Sequence, residues 1–201
     1  MILDQSDIQS INKHFDDNVD KYDINDSRIV NWNNKYSQFI RFKILCDIAD
    51  LKKTSILDVG CGVGDLYNYL QLRFQEFTYE GIDINTKLLR KAEQKYPKAK
   101  FSNKPIDEFQ NGTFDYAFAS GLFGHRLDDY ENKYFEIIEK MYNIAQKGIG
   151  FNMLKAGVHP ENEVFVTFGP KYIVKKLEQK YQNVKVIQDY LPHDFTIHIL
   201  K

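Results

Sequence analysis

The residues with the clearest chemical potential lie in the segment SILDVGCGVGDLYNYL, positions 55–70. An apolar run reaches Asp58, three glycines follow at alternate positions, and a helical pattern begins after them. In an open α/β sheet, a glycine-rich turn after the first strand lets a ligand approach the backbone closely. Gly60, Gly62 and Gly64 therefore predict a ligand cradle at this turn.

The residues around these glycines restrict the kind of ligand. A P-loop requires Gly-Lys-Ser/Thr after the turn, whereas Asp65 and Leu66 follow here. A dinucleotide site in turn has a glycine where Asp65 stands. Asp58 and Asp65 make the cradle acidic, which suits a cationic ligand better than a pyrophosphate. S-adenosylmethionine, with its sulfonium and α-ammonium groups, is such a ligand.

A further acid fits the nucleoside part of that ligand. Asp83 ends the run FTYEGID, about 20 residues beyond the cradle, where an acid can accept hydrogen bonds from ribose hydroxyls. Ile84 follows and is expected to contact the adenine. The alternative role of Asp83 is to cap the next helix.

Strand and helix patterns alternate from position 54 onward. The predicted strands are SILDV, FTYEGID, AKFS, FDYAFAS, GIGFNML, VKVIQDY and DFTIHIL. Helical stretches separate most of them, which predicts right-handed crossovers and parallel strands. Only LPH separates the last two strands, so they should form an antiparallel hairpin. We predict a doubly wound α/β fold with a mainly parallel seven-stranded sheet and an antiparallel C-terminal strand.

Two amphipathic helices are predicted before this sheet. One covers the first twenty residues and the other covers positions 35–51, with a polar stretch between them. We expect a single domain, in which residues 1–52 form a helical lid and residues 53–201 form the α/β core. The loop at positions 155–170 is expected near the mouth of the sheet.

Composition excludes several classes of function. The 201 residues are 43% hydrophobic and 27% charged, with a net charge of −1 that gives no general attraction to nucleic acid. Cys46 and Cys61 lack zinc-site spacing, so no metal is expected and a reducing cytoplasm is favoured. No secretory signal or bilayer-spanning run is visible. We expect a cytoplasmic, non-membrane protein; the oligomeric state stays open.

Three segments resemble a known family when taken in order. ILDVGCGVGDL, YEGIDIN and FDYAFASGLF resemble successive motifs of the class I S-adenosylmethionine-dependent methyltransferases, and the closing hairpin resembles the reversed last strand of that fold. The resemblance covers about residues 54–201. WNNKYSQFIRFKIL, GFNML and HDFTIHIL are similar to segments of small bacterial members whose substrates are unassigned.

The resemblance implies a set of cofactor-binding residues. These are Asp58, Gly60, Cys61 and Gly62 at the methionine part, Asp83 and Ile84 at the ribose and adenine, and the backbone around Ala119, Ser120 and Gly121 beneath the sulfonium. The chain departs from the family at Pro105, where many members have an acid for the adenine amino group. Adenine contact is then expected from the Ile106 backbone, or from Asp107 if the loop shifts.

Two further residues are candidates for the site. His125 follows the fourth strand and is the best candidate for a general base, because imidazole titrates near neutral pH. Its alternative is a loop histidine without catalytic role. Arg41, on the second helix, could bind the methionine carboxylate through its guanidinium fork, or could form a surface ion pair.

The predicted activity is methyl transfer from S-adenosylmethionine to a small molecule, such as a sugar or glycan precursor, an amine or another metabolite, by direct in-line displacement. The fourth strand is not followed by the Asp/Asn-Pro-Pro-Tyr/Phe motif of amino-methylating nucleic-acid enzymes, and no Pro-Cys occurs. A protein or RNA substrate, a catalytically silent cofactor-binding module and a nicotinamide oxidoreductase remain alternatives. The acids of the cradle argue against the last.

Overall fold

The computed structural model describes residues 2–32, 34–158 and 162–201. Seven strands form one sheet: β1 (Thr54–Val59), β2 (Phe77–Ile82), β3 (Lys100–Ser102), β4 (Phe114–Ala119), β5 (Ala145–Leu154), β6 (Asn183–Ile187) and β7 (Asp194–Leu200). The α-helices are α1 (Gln5–Lys21), α2 (Lys35–Cys46), α3 (Asp65–Arg73), α4 (Thr86–Lys95), α5 (Tyr130–Ile144) and α6 (Pro170–Leu177). None of these helices is long and apolar enough to cross a bilayer.

The strand order is β3-β2-β1-β4-β5-β7-β6. Only β7 is antiparallel to its neighbours, which confirms the predicted sheet and its closing hairpin. Because β7 is reversed, its first residue lies at the edge where the other strands end, and Asp194 pairs with Leu154 at the end of β5. This reversal brings the beginning of the last strand to the ligand-binding edge.

Helices cover both faces of the sheet. Neighbouring residues of β1 face opposite sides, and both Ile56 and Leu57 are fully buried. Ile56 packs with Phe42 and Leu70 from α2 and α3, whereas Leu57 belongs to a cluster with Met141 of α5. This burial on two sides explains why the strands are continuous apolar runs in the sequence.

The N-terminal helices take different positions. α1 is held to α5 by ion pairs from Lys133 to Asp4 and Asp7, and to α4 by ion pairs from Lys87 to Asp16 and Asp20. It therefore forms a roof over the carboxyl edge of the sheet.

α2 instead packs in the core layer and reaches this edge only with its N-terminal half. It ends at Cys46, five residues before the predicted end, although Leu51 is still fully buried. The apolar residues beyond Cys46 continue to pack on the core from a non-helical connection.

Candidate functional site

A cavity of about 660 Å³ lies at the carboxyl edge of the sheet. Its volume is in the range of small-molecule sites. The walls come from the turn after β1, the ends of β2, β4 and β5, the beginning of β7, the N-terminal half of α2 and the inner side of α1. The structure brings ten of the site residues expected from the sequence to this cavity: Arg41, Asp58, Gly60, Cys61, Gly62, Asp83, Ile84, Ile106, Ser120 and His125.

The glycine turn adopts backbone angles that residues with a Cβ atom rarely adopt. Gly60 and Gly62 have φ angles of +72° and +55°. A Cβ atom at Gly62 would lie 2.8 Å from Val30 Cγ1, and one at Gly60 would lie 2.9 Å from Leu122 Cδ1. The turn therefore presents bare backbone to the cavity, as a closely bound ligand requires.

Asp83 joins this turn to the beginning of α4. Its Oδ2 accepts a hydrogen bond from the Gly62 amide at 2.8 Å, and its Oδ1 accepts one from the Asn85 amide at 2.8 Å. Asn85, and not Asp83, caps α4, because the Asn85 side chain accepts from the Leu88 amide. A carboxylate accepts up to about four hydrogen bonds, so Asp83 retains capacity for two hydroxyls. Burial raises the pKa of Asp83.

Asp58 is a deeply buried acid of the cavity, with 2% of its surface exposed. Its Oδ2 accepts a hydrogen bond from Tyr79 Oη at 2.7 Å. Burial, reinforced by the nearby charges of Asp83 and Asp65, raises the pKa of Asp58 to about 7. A cationic ligand beside Asp58 would favour its ionised form, so the site is suited to an ammonium or sulfonium group.

Asp65 is ion-paired within the protein, so it contributes less to the acidity of the cradle than the sequence predicts. Its Oδ1 accepts a hydrogen bond from Lys95 Nζ at 2.5 Å, and its Oδ2 accepts one from Gln38 Nε2 at 3.1 Å. The Lys95 ammonium compensates this carboxylate. The acidity of the cavity therefore rests on Asp58 and Asp83.

Arg41 forms a buried ion pair with Asp194 and not a surface one. The guanidinium carbon lies 4.1 Å from the centre of the Trp32 ring, and the Arg41 side chain is only 3% exposed. Nη2 donates to Asp194, while Nε and Nη1 have no hydrogen-bond partner within residues 2–32, 34–158 and 162–201. Unsatisfied buried donors are costly, so these two nitrogens mark a position for an anionic ligand group.

His125 lies on the cavity wall below α1. Its Nε2 is 3.4 Å from Ser10 Oγ, and its ring centre is 5.4 Å from that of His14. Burial, together with His14, lowers the pKa of His125, which keeps the imidazole neutral at physiological pH. A neutral imidazole can accept a proton; the catalytic role of His125 stays a prediction.

The segment expected to hold adenine begins at Pro105. Ile106 is buried at the start of a short 3₁₀ helix, Ile106–Glu108, and Ile84 lines the same cavity. Asp107 Oδ2 accepts a hydrogen bond from the Ile2 amide at 3.0 Å. The chain just before α1 thus contacts the carboxyl group that was the alternative adenine ligand.

Three cavity residues were missed in the sequence. Asn152 fixes the end of β4, because its Oδ1 accepts from the Gly121 amide at 2.8 Å and its Nδ2 donates to Ser120 Oγ at 3.1 Å. Asp194 bonds Arg41 and lies 3.5 Å from Nε2 of His193, which also lines the cavity. The signal for His193 and Asp194 was available, since a reversed last strand must begin at the ligand edge.

Comparison with known proteins gives consistent similarities. Residues 56–148 match the model of a family described as "Methyltransferase domain". A Mycobacterium tuberculosis protein named "Putative methyltransferase Rv1506c" is 28% identical over 154 residues, which cover 73% of this chain and 93% of the relative.

Two solved structures illustrate the shared fold. Magnesium protoporphyrin IX methyltransferase from Synechocystis PCC 6803, with bound SAH, aligns with a TM-score of 0.67 and 15% identity over 98% of this chain and 100% of the other. The 1,6-didemethyltoxoflavin-N1-methyltransferase of Burkholderia thailandensis, with bound 1,6-didemethyltoxoflavin and S-adenosylhomocysteine, aligns with a TM-score of 0.70 and 14% identity over 96% and 88%. At these identities the two structures show the fold alone.

Proposed function

Because the chain belongs to the class I S-adenosylmethionine-dependent methyltransferases, we propose that its methyl acceptor is a small molecule and that transfer occurs by direct in-line displacement. Both structural neighbours described above are named for small-molecule substrates, which supports this choice. The cavity volume of about 660 Å³ also suits a cofactor and a small acceptor better than a folded partner.

One observation carries the proposal: a buried carboxyl group and a buried guanidinium with unpartnered donors line the same cavity. Asp58 is complementary to an α-ammonium group, and Nε and Nη1 of Arg41 are complementary to an α-carboxylate. Asp83 adds the hydrogen-bond acceptors that ribose hydroxyls need. An amino acid attached to a nucleoside satisfies all three groups, whereas a pyrophosphate beside Asp58 would be repelled.

The remaining residues are proposed to orient the two ligands. Gly60, Cys61 and Gly62 would contact the methionine part, Ile84 and Ile106 the adenine, and Ser120, fixed by Asn152, the region beneath the sulfur. S-adenosylmethionine supplies a methyl group on a positively charged sulfur. The roof formed by α1 contributes apolar side chains to the cavity, and alignment at near-attack distance lowers the barrier by several kcal/mol.

A general base is needed only for an acceptor that arrives protonated. We propose that His125 then takes the acceptor proton on an imidazole nitrogen. The acceptor forms one bond to the methyl carbon while the methyl–sulfur bond breaks and leaves its electron pair on sulfur.

Calorimetry with three ligands tests the cofactor assignment. S-adenosylhomocysteine should bind at least about tenfold more tightly than 5′-methylthioadenosine, which lacks the amino acid end, and NAD should not bind. The double variant Arg41→Gln/Asp194→Asn, which removes both charges of the buried pair and keeps a hydrogen bond possible, should reduce that difference. Binding of NAD without binding of S-adenosylhomocysteine would contradict the proposal.

Labelled S-adenosylmethionine, incubated with the protein and a fractionated host extract, tests the acceptor class. Label should appear in the low-molecular-weight fraction. Label only in precipitated protein or RNA would favour a macromolecular acceptor instead. Intact cofactor binding without label in any fraction would favour a catalytically silent module.

A further inference from the structure

The order of the strands assigns the two ends of the cavity. If the cofactor binds as proposed, adenine lies at the end of β3, ribose at β2 and the methionine part at β1, which places the reacting methyl group near the end of β4. The next strands in the sheet are β5 and β7. We call the part of the cavity at the end of β5 and the beginning of β7 the acceptor end.

The wall of the acceptor end is largely apolar. Leu154 closes β5, Val158 follows it, Phe165 approaches from the next loop, and Pro192 precedes β7. The loop is attached here by hydrogen bonds from the Val166 amide to the Gly124 carbonyl and from the Phe168 amide to the Leu154 carbonyl. Residues 159–161 of this loop lie outside the described residues.

The polar groups at this end are mostly occupied within the protein. Asn152 uses its amide oxygen and nitrogen on Gly121 and Ser120. The carboxylate of Asp194 is compensated by Arg41. In the part of the chain that the structure describes, the acceptor end therefore has no uncompensated carboxylate, and its polar side chains include the imidazoles of His125 and His193.

These walls discriminate among small molecules. A sugar would place several hydroxyls against hydrocarbon, and each buried hydroxyl without a partner costs about 1–3 kcal/mol. A cationic amine would enter a site whose buried carboxylate, Asp194, is already paired with Arg41. An apolar body with one polar group, by contrast, is satisfied by the hydrocarbon walls and one imidazole.

We propose that the acceptor is a flat, mainly apolar molecule, neutral or anionic, that presents one hydroxyl or ring N–H group to the imidazole side of the acceptor end. This proposal rests on the proposed function, since it requires the cofactor to occupy the other end. It narrows the acceptor expected from the sequence, because it excludes sugars and cationic amines.

Four commercially available probes test this class on the protein saturated with S-adenosylhomocysteine. 4-Ethylphenol, 4-hydroxyphenylacetate and tyramine share a phenol ring and differ in the charge of the side chain, and methyl glucoside represents a polyol. In titration calorimetry, 4-ethylphenol and 4-hydroxyphenylacetate should bind saturably. Tyramine should bind at least about tenfold more weakly, and methyl glucoside should not bind at the same concentrations.

A matched pair of variants, one charged and one neutral, tests the effect of a charge at the rim of the acceptor end. Val158 is 51% exposed, so Val158→Asp and Val158→Thr should both fold. Val158→Asp should shift the affinity ratio of tyramine to 4-hydroxyphenylacetate by about tenfold in favour of tyramine, whereas Val158→Thr should leave it within about twofold. Neither variant should change the affinity for S-adenosylhomocysteine.

Three results would overturn the inference. They are tighter binding of tyramine or methyl glucoside than of 4-ethylphenol to the wild type, absence of phenol binding to the saturated protein, and an affinity ratio that Val158→Asp leaves unchanged. Each of them leaves the cofactor assignment intact. Failure of S-adenosylhomocysteine to bind at all would instead contradict the proposed function.

Discussion

The two ends of the cavity are built on different physical principles. At the cofactor end, Asp58 and Asp83 are buried carboxyl groups with raised pKa values, beside a glycine turn of bare backbone. At the acceptor end, hydrocarbon from Leu154 and Phe165 predominates and the buried acid Asp194 is paired with Arg41. We therefore expect the cofactor end to bind a charged ligand, with its buried carboxyl groups lowering the stability of the ligand-free protein. The acceptor end is instead expected to select its ligand by shape and to favour molecules without a positive charge.

The largest loss of cofactor affinity is expected from Gly62→Arg. The new side chain would meet Val30 at 2.8 Å and would fill the cradle at a φ of +55°. We expect S-adenosylhomocysteine affinity to fall by more than about 100-fold in calorimetry. Gly112→Arg is the matched control, because Gly112 also has a positive φ, of +67°, but a Cβ atom there would meet only Gln146 Cγ, at 3.9 Å. Unchanged binding by Gly62→Arg in a folded protein would show that the cradle is misassigned.

Asp83→Asn should cause the next largest loss. The amide retains one acceptor oxygen, so it cannot serve the Gly62 and Asn85 amides and the ribose hydroxyls together. Hydrogen bonds to a charged group contribute about 1.5–3 kcal/mol each, which predicts a loss of about 30-fold in S-adenosylhomocysteine affinity. Asp189→Asn, at an exposed turn, should leave the affinity unchanged. Equal losses in the two variants would argue against a ribose contact.

Asp58 should make cofactor binding depend on pH. With a pKa of about 7 in the free protein, the ionised fraction rises about tenfold from pH 6 to pH 8. Affinity for the ammonium-bearing S-adenosylhomocysteine should rise by about the same factor over that interval. Calorimetry at both values should show this slope in the wild type and its loss in Asp58→Asn. A slope that persists in the variant would assign it to another group.

The same variant should stabilise the ligand-free protein. A pKa raised by folding means that protonated Asp58 favours the folded state at low pH, and this contribution is lost as the pH rises through about 7. The gain in the free energy of unfolding on Asp58→Asn should therefore be about 2 kcal/mol larger at pH 8 than at pH 5. Urea unfolding at the two pH values measures this difference. Equal gains at the two pH values would mean that burial of Asp58 carries no such cost.

The smallest change in cofactor affinity is expected at His125. Its imidazole contacts Ser10 and His14 of α1, and it is not among the residues proposed to bind the cofactor, so His125→Ala should alter S-adenosylhomocysteine affinity by less than about twofold. With a hydroxyl acceptor, the same variant should lower kcat by about 100-fold, as expected for loss of a general base. Undiminished methyl transfer would exclude His125 from the mechanism.

Sequence reasoning predicted the fold, because the alternation of strands and helices is a property of neighbours along the chain. It also placed Asp58 near the end of β1, and the glycine turn and Asp83 directly after β1 and β2. It was less successful for side chains that meet through tertiary packing. Asp65 looked like an uncompensated acid because Lys95, its partner, is 30 residues away. The cap of α4 was assigned to Asp83 as an alternative, whereas Asn85, two residues later, fills that position.

The acceptor end could not be read from the sequence for the same reason. Its residues come from β5, the following loop and the beginning of β7, and no short motif contains them. The pair of Arg41 and Asp194 illustrates this, since 153 positions separate its members. The prediction of a reversed strand contained the information that residue 194 lies at the ligand edge, but the identity of its partner depends on the path of α2.

β7 is the last strand in the sequence, and this has a consequence for synthesis of the protein on the ribosome. β5 is translated well before β7, its neighbour on one side, so the nascent chain carries β5 as an open sheet edge, a surface prone to pairing with other chains. During the same interval Arg41 has no counter-ion, because Asp194 has not been translated. The cavity is completed only when β7 closes the sheet, so a nascent chain that stalls before this strand lacks both an intact sheet and a complete ligand site.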